Sequence, residues 1–152
     1  MIYLASPLFS ESERNYIDKI VHKISKELNL DELEDFYVPH RDNTYEYSEA
    51  QIYDTNIKNL ENCDTMIAFL DGKDVDSGTA FEIGYFEAQD KIVLGLLTDK
   101  RSYENNDAEL NSKLNTMIFG SLDYANLIFN DVDDLIGELY EILIDNDTIV
   151  FD

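Results

Sequence analysis

The segment Asp76-Ser-Gly-Thr-Ala-Phe-Glu82-Ile-Gly-Tyr85 sets two carboxylates six residues apart across a glycine-containing turn. Phe81, Ile83, Tyr85 and Phe86 run round most of the helix that follows, so the spacing predicts a buried helix start. An ionised group taken from water without a partner is costly, and a Glu in such a place needs a chemical reason. The reason read here is nucleophilic: Glu82 attacks a sugar carbon, and a first-turn position near the positive end of the helix dipole favours its ionised form. Asp76 then binds or helps to protonate a heterocyclic leaving group, and Tyr3, leaving the first strand, can orient Glu82. Plainer readings stand beside these. Thr79-x-x-Glu82 fits a capping box, Asp76 fits a turn residue ahead of Gly78, and Tyr3 fits an ordinary strand aromatic.

Other chemistries find less support. Asp74-x-Asp76-x-Gly78 begins like a calcium loop, but its twelfth position is Tyr85 rather than Glu. His22 and His40 have no Cys or carboxylate at metal-ligand spacing and stand beside no nucleophile motif. Cys63, the only cysteine, lies at the entrance of a strand and reads as buried and structural. No phosphate-cradling glycine motif occurs.

The elements that must position Asp76 and Glu82 alternate between strand and helix. Ile2–Ala5 reads as a first strand, and Ile17, Ile20, Val21, Ile24 and Leu28 as one face of a helix. Phe36–Pro39 is a short second strand, and Tyr53, Ile57 and Leu60 mark the next helix. Thr65–Leu70 is the strongest strand, closed by Asp71-Gly72. The Glu82 helix ends near Gln89, and Ile92–Leu97 is a buried strand. Leu110, Leu114 and Met117 suggest a shorter helix, Leu127–Phe129 a fifth strand, and Val132 to Leu143 a last helix. Apolar strands separated by helices imply an α/β fold, a parallel sheet with helices on both faces. Ligands of such sheets bind beyond the carboxyl ends of the strands, where the strand order reverses. That directs attention to Ser6-Pro7-Leu8-Phe9, after the first strand, and to Asp71–Gly78, after the third.

Size and charge narrow the function. A chain of 152 residues without repeats or low-complexity linkers reads as one domain, 1–152. Thirty-three acidic residues against 11 basic ones give a net charge of −22, which argues against nucleic-acid polymers, whose binding needs Lys and Arg. The same balance leans toward neutral small substrates over multiply phosphorylated ones. No apolar run reaches membrane-spanning length and no basic segment leads into one, so a soluble, cytoplasmic protein without membrane partners is expected.

Three stretches carry a family resemblance: Ile2-Tyr-Leu-Ala-Ser-Pro-Leu-Phe9, Asn62-Cys-Asp-Thr-Met-Ile-Ala-Phe-Leu-Asp-Gly72, and Asp76 to Tyr85. In order and spacing the chain resembles the nucleoside 2-deoxyribosyltransferases, and Leu114-Asn-Thr-Met-Ile-Phe-Gly120 is similar to a later motif of that family. The resemblance implies a five-stranded, flavodoxin-like doubly wound sheet. It also implies a homo-oligomer, dimers packed into hexamers, with sites shared between subunits. By position, Glu82 would attack the anomeric carbon of a 2′-deoxynucleoside, Tyr3 would hold Glu82, and Asp76 would contact the base. Ser6, Phe9, Asn56, Asp71 and Gly78 would complete the substrate site, and Asn115 with Met117 would come from the adjacent subunit to meet the 5′-hydroxyl end. The partners implied are 2′-deoxynucleosides and free purine or pyrimidine bases, and the chemistry requires neither a metal nor an organic cofactor.

One position departs from the family. The helix residue that is usually an Asp contacting the base is here Asn56. An amide hydrogen-bonds a base edge but cannot donate a proton as an acid, so Asp76 is left to carry the proton transfer. Two rivals remain. A nucleoside 5′-monophosphate N-glycosidase of the same superfamily would bind phosphate through Ser6, Ser10, Ser12 or Arg14. A non-catalytic sensor of a nucleotide-like ligand would have lost turnover through Asn56.

Overall fold

The computed structural model describes residues 1–43, 46–99, 114–123 and 127–145. Along the chain the elements are β1 (Ile2–Ala5), α1 (Glu11–Leu28), β2 (Phe36–Tyr37), α2 (Pro39–Asp42), α3 (Glu49–Asn62) and β3 (Thr65–Phe69). They continue with α4 (Ser77–Glu87), β4 (Ile92–Leu96), α5 (Thr116–Asp123), β5 (Ile128–Phe129) and α6 (Val132–Asp145). The five strands pair in parallel in the order β2-β1-β3-β4-β5. That is the flavodoxin-like order, in which the chain reverses direction between β1 and β3.

The apolar runs that mark the strands arise because both faces are covered. Alternate residues of β1 serve opposite layers. Ile2 and Leu4 pack with α1 and α6, whereas Tyr3 and Ala5 pack with α3, α4 and α5. β3 divides the same way, with Ile67 and Phe69 on the first face and Met66 and Ala68 on the second. Each fully buried large apolar side chain in these layers contributes on the order of 1.5–3 kcal/mol. Gly95 on β4 has a spatial reason: a Cβ there would lie 2.8 Å from Leu70 Cδ1 and 3.0 Å from Leu122 Cδ1, so a larger residue would have to displace the leucine tips packed over the strand.

Three local expectations are corrected. Phe36–Pro39 is not all strand: pairing stops at Tyr37, and Pro39 opens the short helix α2 from its first position, where a missing N–H costs nothing. The helix read over Leu110, Leu114 and Met117 begins only at Thr116; Leu110 lies outside the described residues, and Met117 is exposed rather than facing a core. The Glu82 helix is not apolar all round, since Ile83 and Phe86 are buried while Phe81 is half exposed and stacks on Tyr85. Among the described residues, no helix is long and apolar enough to cross a membrane.

Candidate active site

A hollow of about 500 Å³ opens beyond the carboxyl ends of β1, β2 and β3. The β1–α1 loop supplies Ser6, Leu8 and Phe9, the first turn of α1 supplies Arg14, the start of α4 supplies Asp76, Gly78, Thr79 and Glu82, and the chain after β2 supplies Pro39, His40, Asn43 and Tyr47. Ile52 and Asn56 of α3 close it. The predicted crevice is therefore real, with a third wall, after β2, that the sequence reading did not include.

Tyr3 points to the α4 side of the sheet because of its parity in β1, is fully buried, and donates its hydroxyl to Glu82 Oε1 at 2.6 Å. Burial is the main influence on Glu82 and pushes its carboxyl up to about 7; the Tyr3 hydrogen bond works against this and the nearby Asp76 charge adds to it. Burial and the Glu82 charge together drive the Tyr3 phenol far above its ordinary value, so it stays a donor. Its ring lies 5.2 Å from that of Tyr37, a phenol that burial pushes up to about 12.

The capping-box reading of the α4 start does not hold, whereas the plain turn reading of Asp76 does. The N-cap is Asp76, not Thr79: Asp76 Oδ2 accepts from Gly78 N at 2.9 Å and Thr79 N at 3.0 Å. Glu82 thus lies in the second turn, caps nothing, and sits beyond the first turn, where the dipole's influence is concentrated. What holds it is Tyr3. Gly78 permits the tight cap, since a Cβ there would come within 3.0 Å of Asp76 Oδ2. Asp76 keeps Oδ1 for other work.

Ser6, Phe9, Asn56 and Gly78 line the same hollow as Glu82 and Asp76, with Phe9 79% exposed at its rim. Asp71 does not. Its carboxylate accepts from the backbone of Thr98 and, at 2.8 Å, of Asp99, tying the ends of β3 and β4 together. It borders a separate hollow of about 430 Å³ with Pro7, Ser12, Tyr16 and Phe69, on the α1 side. Asn115 and Met117 are also outside the Glu82 hollow of their own chain: Asn115 Oδ1 accepts from Met117 N at 2.9 Å ahead of α5, and both residues are exposed. Ser10 is spent as the α1 cap, in a reciprocal pair with Glu13.

The sequence reading missed His40, Asn43 and Thr79. His40 has a carboxylate partner after all, Asp18, which meets its Nε2 at 2.9 Å from a helix twenty-two residues away. Among the described residues, the buried polar side-chain atoms without a partner are Ser6 Oγ, His40 Nδ1, Asn43 Oδ1 and Thr79 Oγ1, all from residues of this hollow, together with Ser25 Oγ elsewhere. Buried polar groups are ordinarily paired, so their concentration here singles this hollow out as the candidate ligand site. Among the described residues, no cluster of His, Cys, Asp and Glu is arranged to hold a metal ion. Cys63 is buried at the end of α3, and burial pushes its thiol up to about 12, as befits a structural residue.

Comparison with known proteins agrees with this fold. The sequence pattern of the family described as Nucleoside 2-deoxyribosyltransferase matches residues 2–124, and the chain belongs to that family. It is 33% identical to an uncharacterized protein of Ureaplasma parvum serovar 3, over 91% of this chain and 92% of that one. Among solved structures it is similar to a conserved protein from Enterococcus faecalis V583, with TM-score 0.77, 28% identity, and 93% and 98% of the two chains covered. It is also similar to a 2-desoxiribosyltransferase from Leishmania mexicana, with TM-score 0.67, 25% identity, and 92% and 96% covered.

Proposed function

We propose that this chain is a nucleoside 2-deoxyribosyltransferase that exchanges the base of 2′-deoxyribonucleosides through a deoxyribosyl ester on Glu82. The observation that carries the reading is the 2.6 Å hydrogen bond from Tyr3 to Glu82, inside a hollow rich in unpartnered polar atoms. Tyr3 occupies Oε1 and fixes the carboxylate, leaving Oε2 to attack. As the C1′–N bond breaks, its electron pair leaves with the base, and oxocarbenium character on the sugar is met by the carboxylate, which then bonds to C1′. Asp76, through Oδ1, relays the proton that the leaving base takes up and that the entering base releases. The second base attacks C1′ on the face the first one left, and two inversions give retention. Ser6 Oγ and Thr79 Oγ1 serve the sugar hydroxyls, and Asn115 with Met117 serves a neighbouring subunit's site. The scheme calls for no cofactor.

A nucleoside 5′-monophosphate N-glycosidase is the second reading, and what favours it is Arg14. This guanidinium lines the hollow and commits Nη1 to the carbonyls of Leu8 and Phe9, at 2.8 and 3.0 Å. Parallel incubations of 2′-deoxycytidine or thymidine, and of their 5′-monophosphates, each with free adenine, separate the two. New deoxyadenosine means transfer, whereas hydrolysis restricted to 5′-monophosphates means the second reading. Glu82→Ala should abolish exchange in a protein that still unfolds cooperatively, and mass spectrometry with a slow fluorinated deoxynucleoside should find the adduct on Glu82. Unchanged turnover by that variant would end the assignment.

A further inference from the structure

The wall after β2 has a fixed hydrogen-bonding polarity. Asn43 Nδ2 donates to the Pro39 carbonyl at 3.0 Å and to Asn56 Oδ1 at 2.9 Å. A backbone carbonyl only accepts, so the Asn43 amide can point only one way, and its Oδ1 is the atom left buried and unpartnered in the wall of the hollow. The same relay orients Asn56, whose Oδ1 receives Asn43 Nδ2 and, at 2.7 Å, the Tyr37 hydroxyl. The hydrogen-bonding capacity remaining to Asn56 is therefore its Nδ2, a donor. His40 is oriented from behind by Asp18 at Nε2, and the tautomer that donates there leaves the lone pair on Nδ1, which is also buried and unpartnered. His40 and Asn43 are three residues apart, one helical turn, and both line the hollow with Asn56.

Two unpartnered acceptors and one donor thus belong to one wall, the acceptors lying just beneath its surface. The geometry points to a base-reading surface that recognises an amidine edge, an exocyclic amino group beside an unprotonated ring nitrogen, and so selects adenine and cytosine over hypoxanthine and uracil. The two amino hydrogens go to His40 Nδ1 and Asn43 Oδ1, and Asn56 Nδ2 donates to the ring nitrogen. A 6-oxo purine or 4-oxo pyrimidine would set a carbonyl oxygen against two lone pairs and a ring N–H against a donor. Burial leaves those clashes unrelieved by water. An Asp at position 56 would present acceptors only, so the amide makes the edge preference possible. This inference rests on the reading that the hollow holds a nucleobase, and it fixes which class.

The test is a competition in the full-length protein. Equal concentrations of adenine and hypoxanthine, or of cytosine and uracil, compete for one deoxynucleoside donor, and the product ratio reads the ratio of kcat/KM. The amino base should win by ~10-fold or more, the size expected when a site's buried polar groups reject a mismatched edge. His40→Ala should bring that ratio toward one, a change that a merely structural role would not produce. Ligand-observed NMR of the four free bases with the wild-type protein needs neither turnover nor a variant, and should show the same order. Parity or an oxo preference in wild type overturns the inference while leaving base exchange standing. Selective binding of amino bases without any exchange overturns the transfer reading alone. Failure of every base to bind, with no exchange, overturns both.

Discussion

Tyr3 and Glu82 lie seventy-nine residues apart and meet in a 2.6 Å hydrogen bond, the phenol donating from the sheet to a carboxyl on the helix above it. The bond sets which carboxylate oxygen is free and lowers the proton affinity that burial raises. Tyr3→Phe should therefore do two things at once. It should cut the rate of ester formation by ~10- to 100-fold, and it should move the acidic limb of the rate profile above its wild-type position, because the only lowering influence is gone. Single-turnover kinetics from pH 5 to 9 reads both.

In the proposed mechanism Glu82 must be ionised to attack, and burial pushes its carboxyl up to about 7. Ester formation should rise as pH increases through about 7 and level off above it. A profile already flat from pH 5 upward would mean that ionisation of Glu82 does not limit the step.

The same elevation has a stability cost of definite sign. A carboxyl raised from 4.5 to about 7 keeps its proton in the folded state over a range where the unfolded chain has lost it. Relative stability is then fully present below 4.5, declines as pH rises toward 7, and is lost above it, by about 3 kcal/mol at most. Glu82→Gln, which still accepts from Tyr3, should match wild type at pH 4 and unfold at a higher temperature at pH 8. Thermal unfolding at the two pH values decides it.

Asp76 caps α4 through one oxygen and, in the proposed mechanism, relays a proton through the other, and substitutions separate the two roles. Asp76→Asn keeps an oxygen for the Gly78 and Thr79 amides and should leave the unfolding temperature nearly unchanged, while base exchange falls by ~10²- to 10⁴-fold. Asp76→Ala should lose the cap as well, at about 1 kcal/mol. Equal melting of the two variants would remove the capping role.

Asn115 is exposed and lies outside the hollow of its own chain. If it completes a neighbour's site, Asn115→Asp, which can still cap α5, should be inactive alone. Mixed with inactive Glu82→Ala after reversible dissociation, it should regain activity, because some assembled sites would carry both native residues. No recovery in mixed oligomers places Asn115 elsewhere.

The sheet was legible in the chain because each strand is apolar on both faces, a pattern that only a doubly covered parallel sheet needs. Asp76 and Glu82 were legible because the rule of strand carboxyl ends points to the chain after β3, and Tyr3 because the family resemblance pairs it with Glu82. What escaped notice depends on contacts between distant residues. His40 looks isolated until α1 brings Asp18 to it, and Asn43 looks like a loop polar residue until Pro39, Tyr37 and Asn56 surround its amide. The cap of α4 was misplaced because Asp76, Ser77 and Thr79 are all good cap residues, and spacing alone cannot rank them. Asp71 was assigned to the site for its position after β3, but a carboxylate at a strand end also serves the neighbouring strand's free amides, and here it does.

Gly95 is a seat for its neighbours. With no side chain there, the tips of Leu70 and Leu122 close over β4, and Asn115 stands at the start of the helix that carries Leu122. A single added carbon at position 95 would press on both leucine tips and require them to shift. In the proposed arrangement, where Asn115 serves a neighbouring subunit, a residue remote from every reacting atom would in that way bear on how the helix behind that polar tip is seated.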